Sequence, residues 1–188
     1  MQSLCQSLGI ELRCGRGDAP ALAREQGISM ENAARTLRYA FLHRAAEETG
    51  STHIATAHHR DDNCETVLLN LVRGSGTVGL GGIPPVRDEF IRPLIGLTRA
   101  QIEAYAGRNN LRWAQDMSNF DQSIPRNRVR HTVMPALQSI NPQAAANIAR
   151  AAELARLDGE FLELCASRLA NQAVQRENGI ELQAAVLA

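Results

Sequence analysis

The chain has no lysine, and all 20 of its basic residues are arginine. It therefore cannot form a lysine Schiff base, carry an adenylated lysine as some ligases do, or place a Walker lysine on a phosphate. A GC-rich coding sequence is the favoured explanation for this composition. The formal net charge is zero, so the chain also lacks the overall basic balance that is typical of nucleic-acid-binding domains.

Closely spaced cysteines and long apolar runs are missing as well. The four cysteines are too scattered for a zinc site or an iron–sulfur cluster, and we expect them to be free buried thiols. No signal peptide opens the chain and no apolar stretch is long enough to span a bilayer, which favours a cytoplasmic protein. A chain of 188 residues with 44% hydrophobic and 21% charged residues has the composition of an ordinary globular domain.

An unusual group of polar residues follows a predicted strand. Residues 53–57 have the pattern of a short buried strand, and residues 65–72 that of an amphipathic helix. The polar residues around this junction therefore lie at the carboxyl end of a strand, where open α/β sheets bind ligands; they are His58, His59, Asp61, Asp62 and Glu65. In a purely structural alternative, Asp61 or Asp62 caps the helix and Glu65 completes a capping box. That alternative leaves the two histidines unexplained.

A second helix is predicted to begin after Ser29, a good N-cap residue, with a buried stripe of Ala34, Leu37 and Phe41. Arg35 and Arg38 lie on neighbouring parts of one face of this helix, as two guanidinium groups that bind one anion would. The alternative is a solvent-exposed face on which Arg35 pairs with Glu31.

A local basic patch is predicted at Arg126, Arg128 and Arg130, with Arg99, Arg108 and Arg112 as further members. Arginines of this kind can position phosphates without reading the base sequence. A solvated loop is the alternative.

The order of predicted elements indicates one α/β domain followed by helices. Strand and helix signals alternate up to about residue 85, which is the pattern of a parallel sheet. An edge-like strand at 89–94, a helix opened by a capping box at 98–101 and a short strand at 111–116 follow. From residue 129 onward the chain is predicted to be helical, with an amphipathic run over 143–173. We predict a synthetase-type domain over residues 1–140, and a helical linker with the start of a second domain over 141–188.

Six motifs occur in a fixed order between residues 29 and 137. They are E-x-A-A-R-x-x-R-Y at 31–39, A-H-H-x-D-D-x-x-E-T at 57–66, R-G-S-G at 73–76, R-P-L at 92–94, D-x-S-N at 116–119 and R-N-x-x-R at 126–130. In this order they resemble the motifs of the tRNA(Ile)-lysidine synthases, a branch of the PP-loop ATP pyrophosphatases.

One element of that family is absent from the chain. PP-loop enzymes carry a Ser-Gly-Gly-x-Asp-Ser turn after their first strand, whose backbone N–H groups hold the pyrophosphate end of ATP. The glycine-rich segments at 73–76 and 79–82 do not lie between a strand and a helix, as a phosphate loop must. We therefore expect a fragment that begins just downstream of this loop, with residues 1–10 as the tail of the first helix and 11–14 as the next strand.

The resemblance implies an α/β fold, namely a parallel-sheet, Rossmann-like nucleotide-binding domain of the PP-loop type followed by a helical segment. It also implies ATP-dependent joining of L-lysine to carbon 2 of the wobble cytidine in the CAU anticodon of tRNA(Ile). The carbon-2 oxygen attacks the α-phosphorus of ATP, pyrophosphate leaves, and the lysine amine then displaces AMP. The implied partners are this tRNA and L-lysine, with no membrane, and a homodimer is compatible with the resemblance.

The same resemblance implies roles for individual residues. Those assigned to catalysis are His58, Asp61 and Asp62. The two carboxylates among them, Asp61 and Asp62, would also hold Mg²⁺. ATP would be bound by Arg35, Arg38 and His58. The tRNA would be bound by Arg73, Arg126 and Arg130.

Two other functions remain open at this point. A tRNA cytidine thiolase of the PP-loop type would share the adenylation step, but it normally needs a cysteine pair, and the chain has no C-x-x-C motif. A non-catalytic RNA-binding fragment would keep the arginine surface without ATP turnover. An in-frame Ser-Gly-Gly-x-Asp-Ser upstream of residue 1 would favour the enzyme.

Overall fold

The computed structural model describes residues 2–111, 113–114, 117–172, 174–176 and 179–181. The chain divides into two compact units: unit 1 comprises Met1–Thr56 and Arg87–Ile91, and unit 2 comprises Ala57–Val86 and Arg92–Ala188.

The described part of the chain is mainly helical, with short strands. The elements are α1 (Gln2–Ser7), α2 (Ala19–Gln26), α3 (Met30–Thr49), β1 (Ile54–Ala55), α4 (Arg60–Val72), α5 (Thr77–Leu80), β2 (Val86–Arg87), β3 (Phe90–Ile91) and α6 (Arg99–Arg108). They continue with a 3-10 turn (Met117–Phe120), α7 (Pro125–Arg128), a π-helical turn (Val129–Val133), α8 (Met134–Ile140), α9 (Ala144–Ala170), β4 (Val174–Arg176) and β5 (Gly179–Glu181).

Helix α3 is the longest element of unit 1 and packs against α2. Ser29 caps it as predicted, because its side chain accepts a hydrogen bond from Asn32 N at 3.2 Å. The predicted buried stripe is partly wrong: Ala34 is exposed, whereas Ala33 is fully buried and Leu37 and Phe41 are half-buried. The buried face of α3 therefore begins one residue earlier than the sequence pattern indicates.

The sheet of unit 1 contains the parallel pairing expected of the fold class. Strands β1 and β3 run parallel in the register Ile54 to Phe90 and Ala55 to Ile91. Ile54 N donates to Glu89 O at 2.8 Å, and Thr56 N donates to Ile91 O at 2.9 Å.

Three predicted strands differ from the structure. In the three-stranded sheet the order is β1-β3-β2, so β3 is not an edge strand. Residues 11–14, predicted to be a strand, have no regular structure. The strand predicted at 111–116 is not formed at residues 111, 113 and 114, and its other residues lie outside the described ones.

Helix α4 occupies the centre of unit 2 and packs against α5, α7 and α9. The buried core beside it consists of Cys64, Val129 and Met134. The Cys64 thiol donates to Ala145 O at 3.2 Å, and burial raises the pKa of Cys64 to about 11, so this thiol stays protonated. All four cysteines are free, but only Cys64 is buried, so the expectation of buried thiols is confirmed for this residue alone.

The helical C-terminal part agrees with the sequence pattern, since α9 covers most of the run predicted over 143–173. Helix α9 packs against α4, α5 and α8 within unit 2. An antiparallel hairpin of β4 and β5 follows it. The predicted domain boundary at residue 140 stays a prediction. Among the described residues, no helix is both long and apolar enough to cross a membrane.

Candidate active site

The first turn of α4 is held by a capping box between His59 and Asp62. His59 N donates to Asp62 Oδ2 at 3.0 Å, and Asp62 N donates to His59 Nδ1 at 3.4 Å. The helix thus begins at Arg60, five residues before the predicted start, and the cap is His59 rather than Asp61 or Asp62. Glu65 takes no part in this box. The capping explanation therefore accounts for one of the two histidines and for Asp62.

Asp61 connects the start of α4 to the start of α6. Its Oδ2 accepts a hydrogen bond at 2.7 Å from Arg99 N, the first residue of α6. Beside this contact, Arg60 N donates to Leu97 O at 2.8 Å. Helix α6 also has the predicted capping box of Thr98 and Gln101. The two helices consequently share one anchoring point, which is built from backbone N–H groups and a carboxylate.

Glu65 is buried on α4 and forms a two-bond ion pair with Arg130 of the π-helical turn. Arg130 Nε donates to Glu65 Oε1 at 2.6 Å, and Arg130 Nη2 donates to Glu65 Oε2 at 3.0 Å. Arg126 Nε lies 3.6 Å from the same carboxylate, and Arg126 Nη2 donates to Thr66 Oγ1 at 2.9 Å. Arg130 Nη2 also reaches Asp62 Oδ1 at 3.5 Å. The A-H-H-x-D-D-x-x-E-T and R-N-x-x-R motifs thus meet in space through residues that are 60 to 68 positions apart along the chain.

Burial and mutual contact shift the pKa values of Glu65 and Arg130. Burial raises the pKa of Glu65, although the hydrogen bonds and charge of Arg130 oppose this shift. Burial also lowers the pKa of Arg130, but the hydrogen bond with Glu65 and the negative charges of Glu65, Asp62 and Asp61 together more than offset this, and the net direction is upward. The short two-bond geometry decides for the ionised pair, since it is the arrangement of a guanidinium with a carboxylate.

The carboxylates at the start of α4 suit a magnesium ion that is brought by a phosphate ligand. Within the described ranges, no group of three or more His, Cys, Asp or Glu side chains could hold a metal. Mg²⁺, however, is usually bound through one or two carboxylates together with waters and substrate phosphates. The side chain of Asp61 is 36% exposed and that of Asp62 is 17% exposed, so both carboxylates can be reached from solvent.

The structure brings together some of the predicted site residues and leaves others apart. Asp61, Asp62, Arg126 and Arg130 lie in one cluster with Glu65, and the half-buried His58 directly precedes the cap of α4. Arg73 is exposed at the opposite end of this 13-residue helix, about 20 Å away.

Arg35 and Arg38 lie on α3 in unit 1. The guanidinium of Arg35 donates to the Tyr39 hydroxyl at 3.3 Å and lies 4.8 Å from the centre of the Tyr39 ring. It makes no ion pair with Glu31 in the described part of the chain. Arg35 and Arg38 are exposed, as the alternative expects, but the ion pair that it includes is not formed. The roles assigned to these arginines and to the acidic residues stay predictions.

Of the predicted basic patch, Arg126 and Arg130 lie together at the Glu65 carboxylate. Arg99 pairs with Glu103 at 2.7 Å, Arg128 is exposed, and Arg112 lies outside the described residues. Sequence reasoning missed the ion pair of Glu65 with Arg130 and the contact of Asp61 with α6. For the ion pair, the sequence does contain an acidic motif and an arginine-rich motif. Neither motif, however, predicts which residue the other contributes to the pair.

The family profile described as a PP-loop domain matches residues 1–137. Several curated relatives are called tRNA(Ile)-lysidine synthase. A relative from Geobacter sulfurreducens is 44% identical over 158 residues, which is 83% of this chain and 33% of the relative. One from Thermotoga maritima is 36% identical over 163 residues, covering 87% of this chain and 39% of the relative. One from Pseudomonas fluorescens is 39% identical over 181 residues, covering 94% and 39%. The chain thus spans about a third to two fifths of the length of these relatives.

A solved structure has a similar fold. It is described as a U34-tRNA thiolase, NcsA, from Methanococcus maripaludis with its 4Fe-4S cluster. The TM-score is 0.63 at 18% identity, and the match covers 82% of this chain and 55% of that one. At this identity the likeness concerns the fold alone.

Proposed function

Because this chain belongs to the PP-loop domain family, we propose that it is the catalytic part of a cytoplasmic tRNA(Ile)-lysidine synthase. The observation that carries the proposal is the cluster at the start of α4, in which the A-H-H-x-D-D-x-x-E-T and R-N-x-x-R motifs meet through Glu65 and Arg130. Relatives that carry this name are 36 to 44% identical over most of the chain, which supports the same conclusion.

The proposed reaction is an ATP-dependent ligation in two steps. The carbon-2 oxygen of the wobble cytidine in the CAU anticodon attacks the α-phosphorus of ATP, and pyrophosphate leaves. The amine of L-lysine then displaces AMP from carbon 2. No covalent attachment to the protein is needed, so its task is to position the reactants and to stabilise the charge that develops.

Asp61, Asp62 and His58 are the proposed catalytic residues. Asp61 and Asp62 would hold Mg²⁺ together with ATP phosphates, since hard carboxylate oxygens suit this ion. When bound, Mg²⁺ neutralises phosphate charge. His58 would contact ATP phosphates or the adenylated base, and the capping box of His59 and Asp62 fixes the backbone that carries it.

The arginines are proposed to bind the two polyanionic reactants. Arg35 and Arg38 would bind phosphate or the adenylate as guanidinium forks. Arg73 is exposed and can meet the tRNA backbone. Arg126 and Arg130 also bind tRNA in this proposal. Their hydrogen bonds with Thr66 and Glu65 hold the two side chains in place.

The thiolase alternative is less favoured. The buried Cys64 thiol is kept protonated by its raised pKa, and the four free cysteines include no C-x-x-C pair. A non-catalytic RNA-binding fragment differs from the enzyme in one measurable property, the transfer of lysine.

A chimaera provides the test. In the Geobacter sulfurreducens relative, the segment that aligns with this chain is replaced by the residues of this chain. We expect the chimaera to attach labelled lysine to a tRNA with a CAU anticodon, with release of AMP and pyrophosphate, and not to a tRNA with a GAU anticodon.

The matched control in the chimaera is Asp62→Asn. Asp62 is the third residue of the helix and the partner of His59 in the capping box, and an asparagine side chain keeps an oxygen acceptor for His59 N. It loses the charge, and we expect lysine transfer to fall by about 100-fold or more. A chimaera that unfolds cooperatively but transfers no lysine would refute the proposed function. Full activity of Asp62→Asn would reduce Asp62 to the capping-box partner of His59.

A further inference from the structure

A cavity of about 450 Å³ opens in unit 2 beside the first turn of α4, on a surface formed with α9. Its volume is within the range of small-molecule sites, which is about 300 to 1,000 Å³. None of the residues assigned to catalysis, ATP or tRNA binding lines it. Its charged lining residues are Arg60, Arg150, Glu153 and Arg156.

These side chains give the cavity an excess of positive charge. Three arginines and one glutamate line it, and Glu160 pairs with one of the arginines, Arg156, so a smaller positive excess remains. A concave surface with an excess of one sign of charge attracts counter-ions. Arg60 is held in place because its Nη2 donates to Gly96 O at 2.6 Å, and Arg156 is oriented by Glu160 at 2.6 Å. Arg150 makes no hydrogen bond or ion pair with the residues that the structure describes. Its guanidinium fork is therefore open for an anion.

The amide of Asn63 is a second polar group in the same cavity. Asn63 is 9% exposed and lines the cavity. Its Oδ1 accepts a hydrogen bond from Ile83 N at 2.7 Å, which fixes the orientation of the amide. The Nδ2 group of Asn63 donates to no residue within the described part of the chain. This donor therefore remains available to a ligand in the cavity.

The rest of the cavity wall is apolar and small. Ile83, Pro85 and Ile95 line it from the loops, and Ala146 and Ala149 line it from α9. Arginine forks and an amide donor beside an apolar surface match a ligand that joins a phosphate to a flat, weakly polar ring.

We propose that this cavity binds a nucleotide, with the phosphate on Arg150 and Arg156 and the base against the apolar wall next to Asn63. The nucleotide belongs either to an RNA chain or to a free mononucleotide, which share this chemistry. The inference rests on the proposed function in one respect only, namely that RNA is considered as a source of the nucleotide.

The test compares single variants of the 188-residue chain by binding of two probes. The probes are a labelled anticodon stem-loop RNA, made with a CAU and with a GAU loop, and AMP. For the probe that occupies the cavity, we expect Arg150→Ala to weaken binding about tenfold. If that probe is RNA, the slope of log affinity against log salt should fall by about 0.7 to 0.9. Glu153→Gln should tighten binding, because it removes the negative charge of the cavity.

Arg168→Ala is the matched control. Arg168 is an exposed arginine on the same helix, about 27 Å from Arg150 along the axis, so its loss changes the net charge equally but leaves the cavity intact. An effect of Arg150→Ala on RNA assigns the site to RNA, and an effect on AMP alone assigns it to a free nucleotide. Equal affinities of Arg150→Ala and Arg168→Ala for both probes, or no binding of either probe by the parent chain, would overturn the inference.

The outcome is separable from that of the chimaera. The phosphate contact carries no base-sequence information, so Arg150→Ala should affect the CAU and GAU stem-loops equally. Such a result supports the nucleotide site even if no lysine is transferred.

Discussion

The buried ion pair of Glu65 with Arg130 adds little net stability, but the loss of either side chain alone is costly. Two charges lose most of their mutual attraction to desolvation when they are buried together, so a buried pair contributes little net stability. Removal of one partner is different, because it leaves a buried charge without compensation and costs about 3 to 5 kcal/mol. With a carboxylate that is only 2% exposed, Glu65 is the partner that depends more on the pair.

We expect Arg130→Gln to destabilise the chain by about 3 kcal/mol at pH 8, and by clearly less at pH 5. The pKa of Glu65 is already raised by burial in the parent chain, and loss of Arg130 raises it further. Because the folded-state pKa then lies well above the unfolded value, the penalty is present at high pH. It disappears as pH falls through the folded-state pKa and the carboxyl takes up a proton. Urea unfolding at both pH values measures this difference.

Arg128→Gln serves as the control, because Arg128 is exposed and lies two residues from Arg130. This variant should lose no more than a few tenths of a kcal/mol at either pH. If the destabilisation of Arg130→Gln were independent of pH, or larger at pH 5, the buried carboxylate would not be its cause.

Helix α4 shows what the sequence can and cannot predict about the site. The position of the polar residues after a strand followed from the apolar pattern of residues 53–57, and the structure places β1 within this range. The sequence pattern did not predict His59 as the cap of α4. Histidine is not among the preferred N-cap residues, and Asp61 and Asp62, which are close by, are of a preferred type. Local patterns predicted the elements, but contacts between distant parts of the chain decided which side chains remain available.

The contact from Asp61 to α6 illustrates this limit. Arg99 N is 38 residues away from Asp61 along the chain, and no local pattern links the two. We expect Asp61→Ala to lower the free energy of unfolding by about 1 kcal/mol, as loss of a helix cap does. Asp61→Asn retains an oxygen acceptor and should lose only a few tenths of a kcal/mol. Denaturant unfolding of both variants tests the contact, and equal losses would show that charge rather than capping is responsible.

The chain has two compact units. It spans about a third to two fifths of the length of its relatives. The fold class was predictable, since alternating strand and helix signals require a parallel sheet, and the pairing of β1 with β3 confirms it. The division into units was not predictable, because residues 87–91 pack with the first 56 residues rather than with their neighbours in sequence.

The 188 residues contain no Ser-Gly-Gly-x-Asp-Ser sequence, and this bears directly on ATP turnover. The backbone donors of such a turn would stabilise the charge that develops on the leaving pyrophosphate, and loss of even one donor of this type typically costs about 100-fold or more in rate. We therefore expect the purified chain, given ATP, Mg²⁺, lysine and tRNA with a CAU anticodon, to release no pyrophosphate above background. Cooperative unfolding of the same preparation shows that it is folded. Release that depends on both tRNA and lysine would mean that another part of the chain, with the glycine-rich segments at 73–76 and 79–82 as the first candidates, supplies the missing donors.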